Sequence, residues 1–131
     1  MADELSQTVI AEGLRKLFPK IPIISEETEA VSFSERKGWE YFWLIDPLDG
    51  TKEFIEKNTA FTVNITLRYK TCPVFGMISA PVLGDLYFAC KAKSAFKRDR
   101  KGKVIPLKVK ETPRKKIVIA RSRSHAQKEE E

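Results

Sequence analysis

Trp43-Leu44-Ile45-Asp46-Pro47-Leu48-Asp49-Gly50-Thr51 sets two carboxylates three residues apart at the exit of an apolar run. From Trp39 to Ile45 the chain is nearly continuously apolar, which predicts a strand buried on both faces, and it stops abruptly at Asp46-Pro47. Proline fixes φ and keeps a tight turn closed, so Asp46 and Asp49 are expected to converge on one volume. Close carboxylates repel unless a cation neutralises them, and hard divalent cations with oxygen ligands, magnesium above all, suit the place. The Leu48 carbonyl lies between the two and offers a further oxygen. Gly50 leaves room for a ligand near the backbone, and a helix starting at Thr51 turns its free amides toward phosphate. The same Asp-Pro-x-Asp-Gly pattern also serves as a purely structural turn, with aspartate capping and glycine relieving strain.

Upstream, Leu5, Val9, Ile10, Leu14, Leu17 and Phe18 recur at three- and four-residue spacing, which predicts one apolar helix face over Asp3 to Phe18, capped by Asp3 and ended by Pro19. Ile21 to Ser25 reads as a strand that delivers Glu26 and Glu27 to the same sheet edge as Asp46. Thr28 to Gly38 reads as a loop with room for a short helix. Downstream, Thr51 to Lys57 predicts a short helix, and Phe61, Val63, Ile65 and Leu67 alternate with Thr62, Asn64, Thr66 and Arg68 as in a half-buried strand. Further strands are expected near Val74–Ala80, Asp85–Cys90, Ala95–Arg98, Val104–Val109 and Ile117–Ala120, separated by turn residues such as Pro81, Gly84 and Gly102. With no internal repeat and no composition break, residues 1–131 read as one α+β domain with a largely antiparallel sheet flanked by helices.

Composition narrows the class. A 131-residue chain that is 42% hydrophobic and 32% charged can bury a core without staples, and its apolar runs are too short to span a bilayer. No secretory leader is visible at Met1-Ala2-Asp3-Glu4, so the reading is cytoplasmic, with a peripheral place at the inner membrane as a variant. Cys72 and Cys90 stand apart and read as buried free thiols. The net charge of +6 divides into −5 over residues 1–60 and +11 over residues 61–131. An acidic half beside a basic half suits a metal site facing an anionic substrate, though solvated lysines have the same composition. Lys97-Arg98-Asp99-Arg100-Lys101-Gly102-Lys103 could grip phosphates, or form an exposed hairpin tip. No aromatics interleave it, so nucleic acid is not an expected partner.

The order of these segments resembles the inositol monophosphatase family. The likeness is carried by Ala2-Asp3, Phe18-Pro19, Ile23-Ile24-Ser25-Glu26-Glu27 and the stretch from Trp43 to Thr51. The continuation Lys52-Glu53-Phe54-Ile55 with Phe61-Thr62-Val63-Asn64-Ile65 is similar to the 3′(2′),5′-bisphosphate nucleotidase branch, as is Ser122-Arg123-Ser124-His125. The resemblance implies the layered sugar-phosphatase fold shared with fructose bisphosphatases. It also implies a Mg2+-dependent phosphomonoesterase with two or three ions, Mn2+ being an alternative. The reaction would release the 3′-phosphate of 3′-phosphoadenosine 5′-phosphate, or of its phosphosulfate, by water activated on the metal, within sulfur assimilation. Glu26 would ligate the first ion, Asp46 would bridge two, Asp49 would hold the second and the Leu48 carbonyl the first. Glu27 would hold water on the metal. Thr51, partnered by Asp3, would orient the attacking water, and the Gly50 and Thr51 amides would bind phosphate. Glu26, Leu48 and Asp49 would also face the substrate, and Arg123 and His125 would lie near the nucleotide.

Family members are longer. They begin with a helix and strand pair ending in Val-Thr-x-Ala-Asp, and continue into a second layer whose Trp-Asp motif completes the second metal site. The chain therefore reads as an N-terminal-half portion truncated at both ends, whose 131 residues by themselves are expected to have little activity. Two other readings remain open at this point: an inositol-1-monophosphatase, and a non-catalytic anion- or nucleic-acid-binding portion using the basic half. The sequence leaves the oligomeric state open.

Overall fold

The apolar spacing near the N-terminus forms a helix, but only part of its stripe faces inward. In the computed structural model, which describes residues 2–109, helix α1 spans Ala2–Leu17. Gln7, Ile10, Ala11 and Leu14 turn toward the sheet, while Leu5 and Val9 are 67% and 71% exposed. At 100° per residue Leu5 and Val9 fall on the side opposite Gln7 and Ala11, so the single apolar face expected from sequence divides into two.

Strand β1 (Ile23–Ser25), the short helix α2 (Phe33–Arg36), strand β2 (Tyr41–Asp49) and helix α3 (Thr51–Ile55) follow. Then come β3 (Thr62–Tyr69), β4 (Cys72–Ala80), β5 (Asp85–Cys90), β6 (Ala95–Arg98) and β7 (Val104–Leu107). The seven strands form one sheet in chain order, parallel between β1 and β2 and antiparallel throughout the rest. This is the largely antiparallel α+β sheet expected from the pattern. A meander follows because turn residues separate β3 to β7, whereas the parallel β1–β2 pair needs the longer connection that carries α2. The expected strand Ile117–Ala120 lies outside the described residues.

Trp43, Ile45 and Ile65 are the centre of the core, with Ile10, Leu14, Ile23, Leu67 and Met77 packed against them. The Phe18 and Trp43 rings meet at 5.5 Å. Burying a large apolar side chain contributes about 1.5–3 kcal/mol, so this cluster holds the helix to the sheet. Strand β2 is not buried on both faces, contrary to the reading of its apolar run: Leu44, between Trp43 and Ile45, is 38% exposed. Helix α1 packs on one face, and among the described residues no element covers Leu44 from the other. The cysteines also differ from expectation. Cys72 is exposed and Cys90 part-buried, because Cys72 starts β4 at the corner of the β3–β4 hairpin.

The basic cluster between Lys97 and Lys103 is a hairpin tip. The Asp99 carboxylate accepts the amides of Lys101 and Lys103, both at 2.9 Å, and Gly102 takes the left-handed φ of +83° that closes the turn. Lys97 spends its charge on Asp85 at 2.7 Å.

Candidate metal and phosphate site

Two adjacent strand ends build the acidic corner. Strands β1 and β2 run parallel with Ser25 opposite Ile45, so Glu26 and Asp46 leave the last paired rung side by side. Parallel pairing sends both C-terminal ends to one edge, where an α/β crevice commonly binds its ligand.

Asp46 and Asp49 reach one side of β2 through a break in register rather than a simple turn. Strand pairing continues past Asp46, which lies opposite Asn64, to Asp49 opposite Thr62. Three steps on β2 thus match two on β3, the signature of a one-residue bulge. Residues three apart on a regular strand point to opposite faces. The bulge at Pro47-Leu48 removes that conflict and sets both carboxylates against the same polar row, Thr62 and Asn64. Asn64 Nδ2 donates to Asp49 Oδ2 at 3.1 Å, and Thr62 Oγ1 to the same oxygen at 3.5 Å. The Leu48 amide donates to Asp46 Oδ1 at 3.3 Å.

Gly50 takes φ +92°, where a β-carbon would lie 3.2 Å from the Ala60 carbonyl oxygen. Only glycine passes there without strain. It launches α3, whose five residues stop short of the helix expected over Thr51 to Lys57. The Thr51 hydroxyl donates to the Leu48 carbonyl at 3.4 Å. Asp3 sits in the first turn of α1.

Helix α1 fastens this corner in two places. Ser6 Oγ donates to the Pro47 carbonyl at 2.8 Å, and Ser25 Oγ donates to the buried Gln7 Oε1 at 2.6 Å. Ser25 also receives the Glu27 amide on its hydroxyl at 3.4 Å, and its carbonyl accepts the Thr28 hydroxyl, shaping the turn that presents the two glutamates. Ser6, Gln7, Thr62 and Asn64 were not singled out from sequence as site residues. The one available signal was the polar side of the Thr62-Asn64-Thr66 alternation, which reads equally well as a solvated face.

Electrostatics identify the strained member of the group. The Asp46 carboxyl is held above its ordinary value of 3.8, first by burial, then by the charges of Asp49, Glu26 and Glu27, against the opposing Leu48 hydrogen bond. Charge coupling reaches further than ligation, however. Among the described residues no three His, Cys, Asp or Glu side chains are gathered closely enough to hold one ion. Closing Glu26, Asp46 and Asp49 on a cation therefore takes side-chain rotation, for which exposed Glu26 has room. The donor set, carboxylate and carbonyl oxygens with surplus negative charge, fits a hard divalent cation. Ser25, Glu26, Leu44, Asp46, Asn64 and Thr66 line a hollow of about 410 Å3 beside it. Arg123 and His125 lie outside the described residues.

The inositol monophosphatase family model matches residues 1–131, the whole chain. The chain belongs to the inositol monophosphatase family. Its similar relatives include the 3′(2′),5′-bisphosphate nucleotidase CysQ of Salmonella typhimurium, 50% identical over 93 residues that make up 71% of this chain and 37% of that protein. CysQ of Escherichia coli strain K12 is 41% identical over 129 residues, 98% of this chain and 51% of that one. Among solved structures, CysQ from Bacteroides thetaiotaomicron, a bacterial member of the family, superposes with a TM-score of 0.65 at 34% identity, over 91% of this chain and 49% of that one. Inositol monophosphatase from Anabaena gives a TM-score of 0.72 at 33% identity, over 85% and 41%. This inositol monophosphatase family chain thus spans about half the length, or less, of the relatives it matches, and has their α+β fold.

Proposed function

We propose that the chain carries the metal- and phosphate-binding corner of a magnesium-dependent bisphosphate nucleotidase. The reaction is hydrolysis of the 3′-phosphate of 3′-phosphoadenosine 5′-phosphate, or of its phosphosulfate, to AMP or adenosine phosphosulfate and inorganic phosphate. The observation that carries this reading is the β2 bulge, which turns Asp46 and Asp49 to one side next to the parallel strand end bearing Glu26. The nucleotidase names of relatives at 41–50% identity support the branch over an inositol-1-monophosphatase. The basic hairpin tip lends little to a nucleic-acid-binding role, since Lys97 is paired with Asp85 and no aromatic residue interleaves the cluster.

In this reading Glu26, Asp46, Asp49 and the Leu48 carbonyl would hold Mg2+, two or three ions in all, with Mn2+ able to replace it, and Glu27 would steady the water around them. When bound, the ions neutralise the phosphate oxygens and the charge growing on the departing ribose oxygen. The chain's own groups orient. The Gly50 and Thr51 amides face the phosphate, where the left-handed Gly50 lets the backbone come close. Thr51 Oγ1, with Asp3 as partner, would orient the attacking water. Glu26, Leu48 and Asp49 border the scissile ester, and Arg123 and His125 meet the nucleotide. The protein acts in the cytoplasm; the free cysteines are compatible with a reducing compartment, and no helix among the described residues is long and apolar enough to cross a membrane.

The test is phosphate release from 3′-phosphoadenosine 5′-phosphate and from inositol 1-phosphate by a polypeptide extended in both directions to the length of its relatives, at one Mg2+ concentration. A kcat/KM at least about tenfold higher for the nucleotide is expected, a difference of ~1.4 kcal/mol in transition-state binding. Preference for the inositol ester would overturn the branch and leave the family standing.

A further inference from the structure

We propose that Asn64, helped by Thr62, sets the cation preference of the site by confining Asp49 to one carboxylate oxygen. This rests on the metal reading above and adds a specificity role to two residues of β3. Both donors fall on the same atom: Asn64 Nδ2 at 3.1 Å and Thr62 Oγ1 at 3.5 Å meet Asp49 Oδ2. Asp49 Oδ1 is left to face the ion. A carboxylate with one oxygen occupied by two donors binds through the other, in monodentate fashion. Mg2+ takes a tight octahedron of single oxygens, whereas Ca2+ is larger, accepts six to eight ligands and often takes both oxygens of a carboxylate. Holding Oδ2 out of reach therefore favours the smaller ion.

The orientation of Asn64 supports its role. Turning the amide over would set Oδ1 against Asp49 Oδ2, oxygen on oxygen, so the carboxylate dictates which end faces it. The other end gains nothing from the arrangement, since Asn64 Oδ1 is buried without a hydrogen-bond partner among the described residues. The amide is thus placed to serve Asp49 rather than to satisfy itself. Asn64 stands opposite Asp46 in the strand register and lines both the hollow beside Glu26 and a second hollow of about 550 Å3 beside Asp49. Asp46 lines the first of these hollows and Asp49 the second.

The experiment compares Mg2+ and Ca2+ binding by calorimetry on the wild type, Asn64→Ala and Thr62→Val, each as the 131-residue chain and as a polypeptide extended in both directions to the length of its relatives, with thermal unfolding of each metal-free protein as the folding control. Asn64→Ala is expected to lower the ratio Kd(Ca2+)/Kd(Mg2+) by about fivefold or more, because Asp49 can then offer both oxygens. Thr62→Val should move it the same way by less, its bond being longer. A merely structural Asn64 would weaken both ions together and leave the ratio in place. If Asn64→Ala does not fold, Thr62→Val carries the test, since it keeps the shape and removes only the hydroxyl. Ratios within twofold of the wild type in the folded variants overturn the proposal and leave the metal reading intact. No saturable heat from either salt in the wild type at either length overturns the metal reading, and this proposal with it.

Discussion

The two faces of the sheet are written by the same strands in alternate residues, yet they do different work. On the α1 side Trp43, Ile45 and Ile65 interlock with Ile10 and Leu14 and are almost fully buried. On the opposite side the same strands present Leu44, Asp46, Asn64, Thr66 and Ile78, of which Leu44 and Ile78 are 38% and 48% exposed. Stability therefore comes mainly from the first face, and binding chemistry is assembled on the second. A charged cluster such as Asp46, Asp49, Glu26 and Glu27 opposes folding when its charges are unneutralised, so it depends on a packed face behind it. Two successive residues of β2 show the division most clearly: Ile45 is 2% exposed, and its neighbour Asp46 carries the perturbed carboxyl.

The largest expected effect separates the faces directly. Trp43→Ala should cost about 3–5 kcal/mol in urea unfolding, as aromatic-to-alanine changes in cores do, while Leu44→Ala should cost about 1 kcal/mol or less. Equal losses would mean that the Leu44 face is as well packed as the α1 face. Next comes a change of opposite sign on the open face. Asp46→Asn removes a repelled charge and keeps an oxygen to accept the Leu48 amide, so the metal-free variant should melt higher than the wild type. The same substitution should weaken Mg2+ binding at least about tenfold, the loss expected for a central carboxylate ligand. Calorimetry and a metal-free melting curve check the pair, and a variant that binds as tightly as the wild type removes Asp46 from the ligand set.

The pH dependence follows from the same carboxyl. Its value in the folded chain is raised above 3.8, so between that value and the raised one the folded state holds more protons than the unfolded state. Stability from this group is present below 3.8 and is lost as pH rises through the raised value. Metal-free wild type should therefore gain stability on acidification through that window relative to Asp46→Asn, and parallel pH profiles would contradict the coupling. The smallest expected effect tests the left-handed residue between β2 and α3. Gly50→Ala puts a β-carbon at φ +92° and 3.2 Å from the Ala60 carbonyl oxygen, which should cost about 1 kcal/mol or somewhat more in thermal unfolding. An unchanged melting temperature would show that α3 can shift to relieve the contact.

Much of this was legible along the chain. The meander β3 to β7 announced itself through turn residues and alternation, with β5 and β6 read to the residue, because hairpins are local and their turns have their own chemistry. Helix α1 was placed to within one residue at either end, yet its inward side was misread for Leu5 and Val9, since an apolar count does not choose between two stripes. The strand through Trp43 was read as buried twice over, because an uninterrupted apolar run looks alike whether one or both faces are covered. The acidic residues themselves were named from their pattern, whereas the residues that brace them were not.

The sequence by itself determined the inventory: a short apolar strand ending in Glu26-Glu27, another ending in Asp46-Pro47-Leu48-Asp49-Gly50, and an alternating strand with Thr62, Asn64 and Thr66 on its polar side. Those features are local, set by backbone preference and the period of hydrophobicity. Tertiary structure decided which of them meet. Parallel pairing of β1 with β2 places Glu26 beside Asp46, and the bulge against β3 carries Asp49 to the same face and under the amide of Asn64. Register between strands is a long-range property, fixed by which side chains the α1 face can bury together, and a one-residue slip sends every side chain to the other face. Spacing along the chain cannot specify it, so the sequence shows carboxylates that a tight turn would bring together, while the route they take, a bulge against β3, is visible only in the sheet.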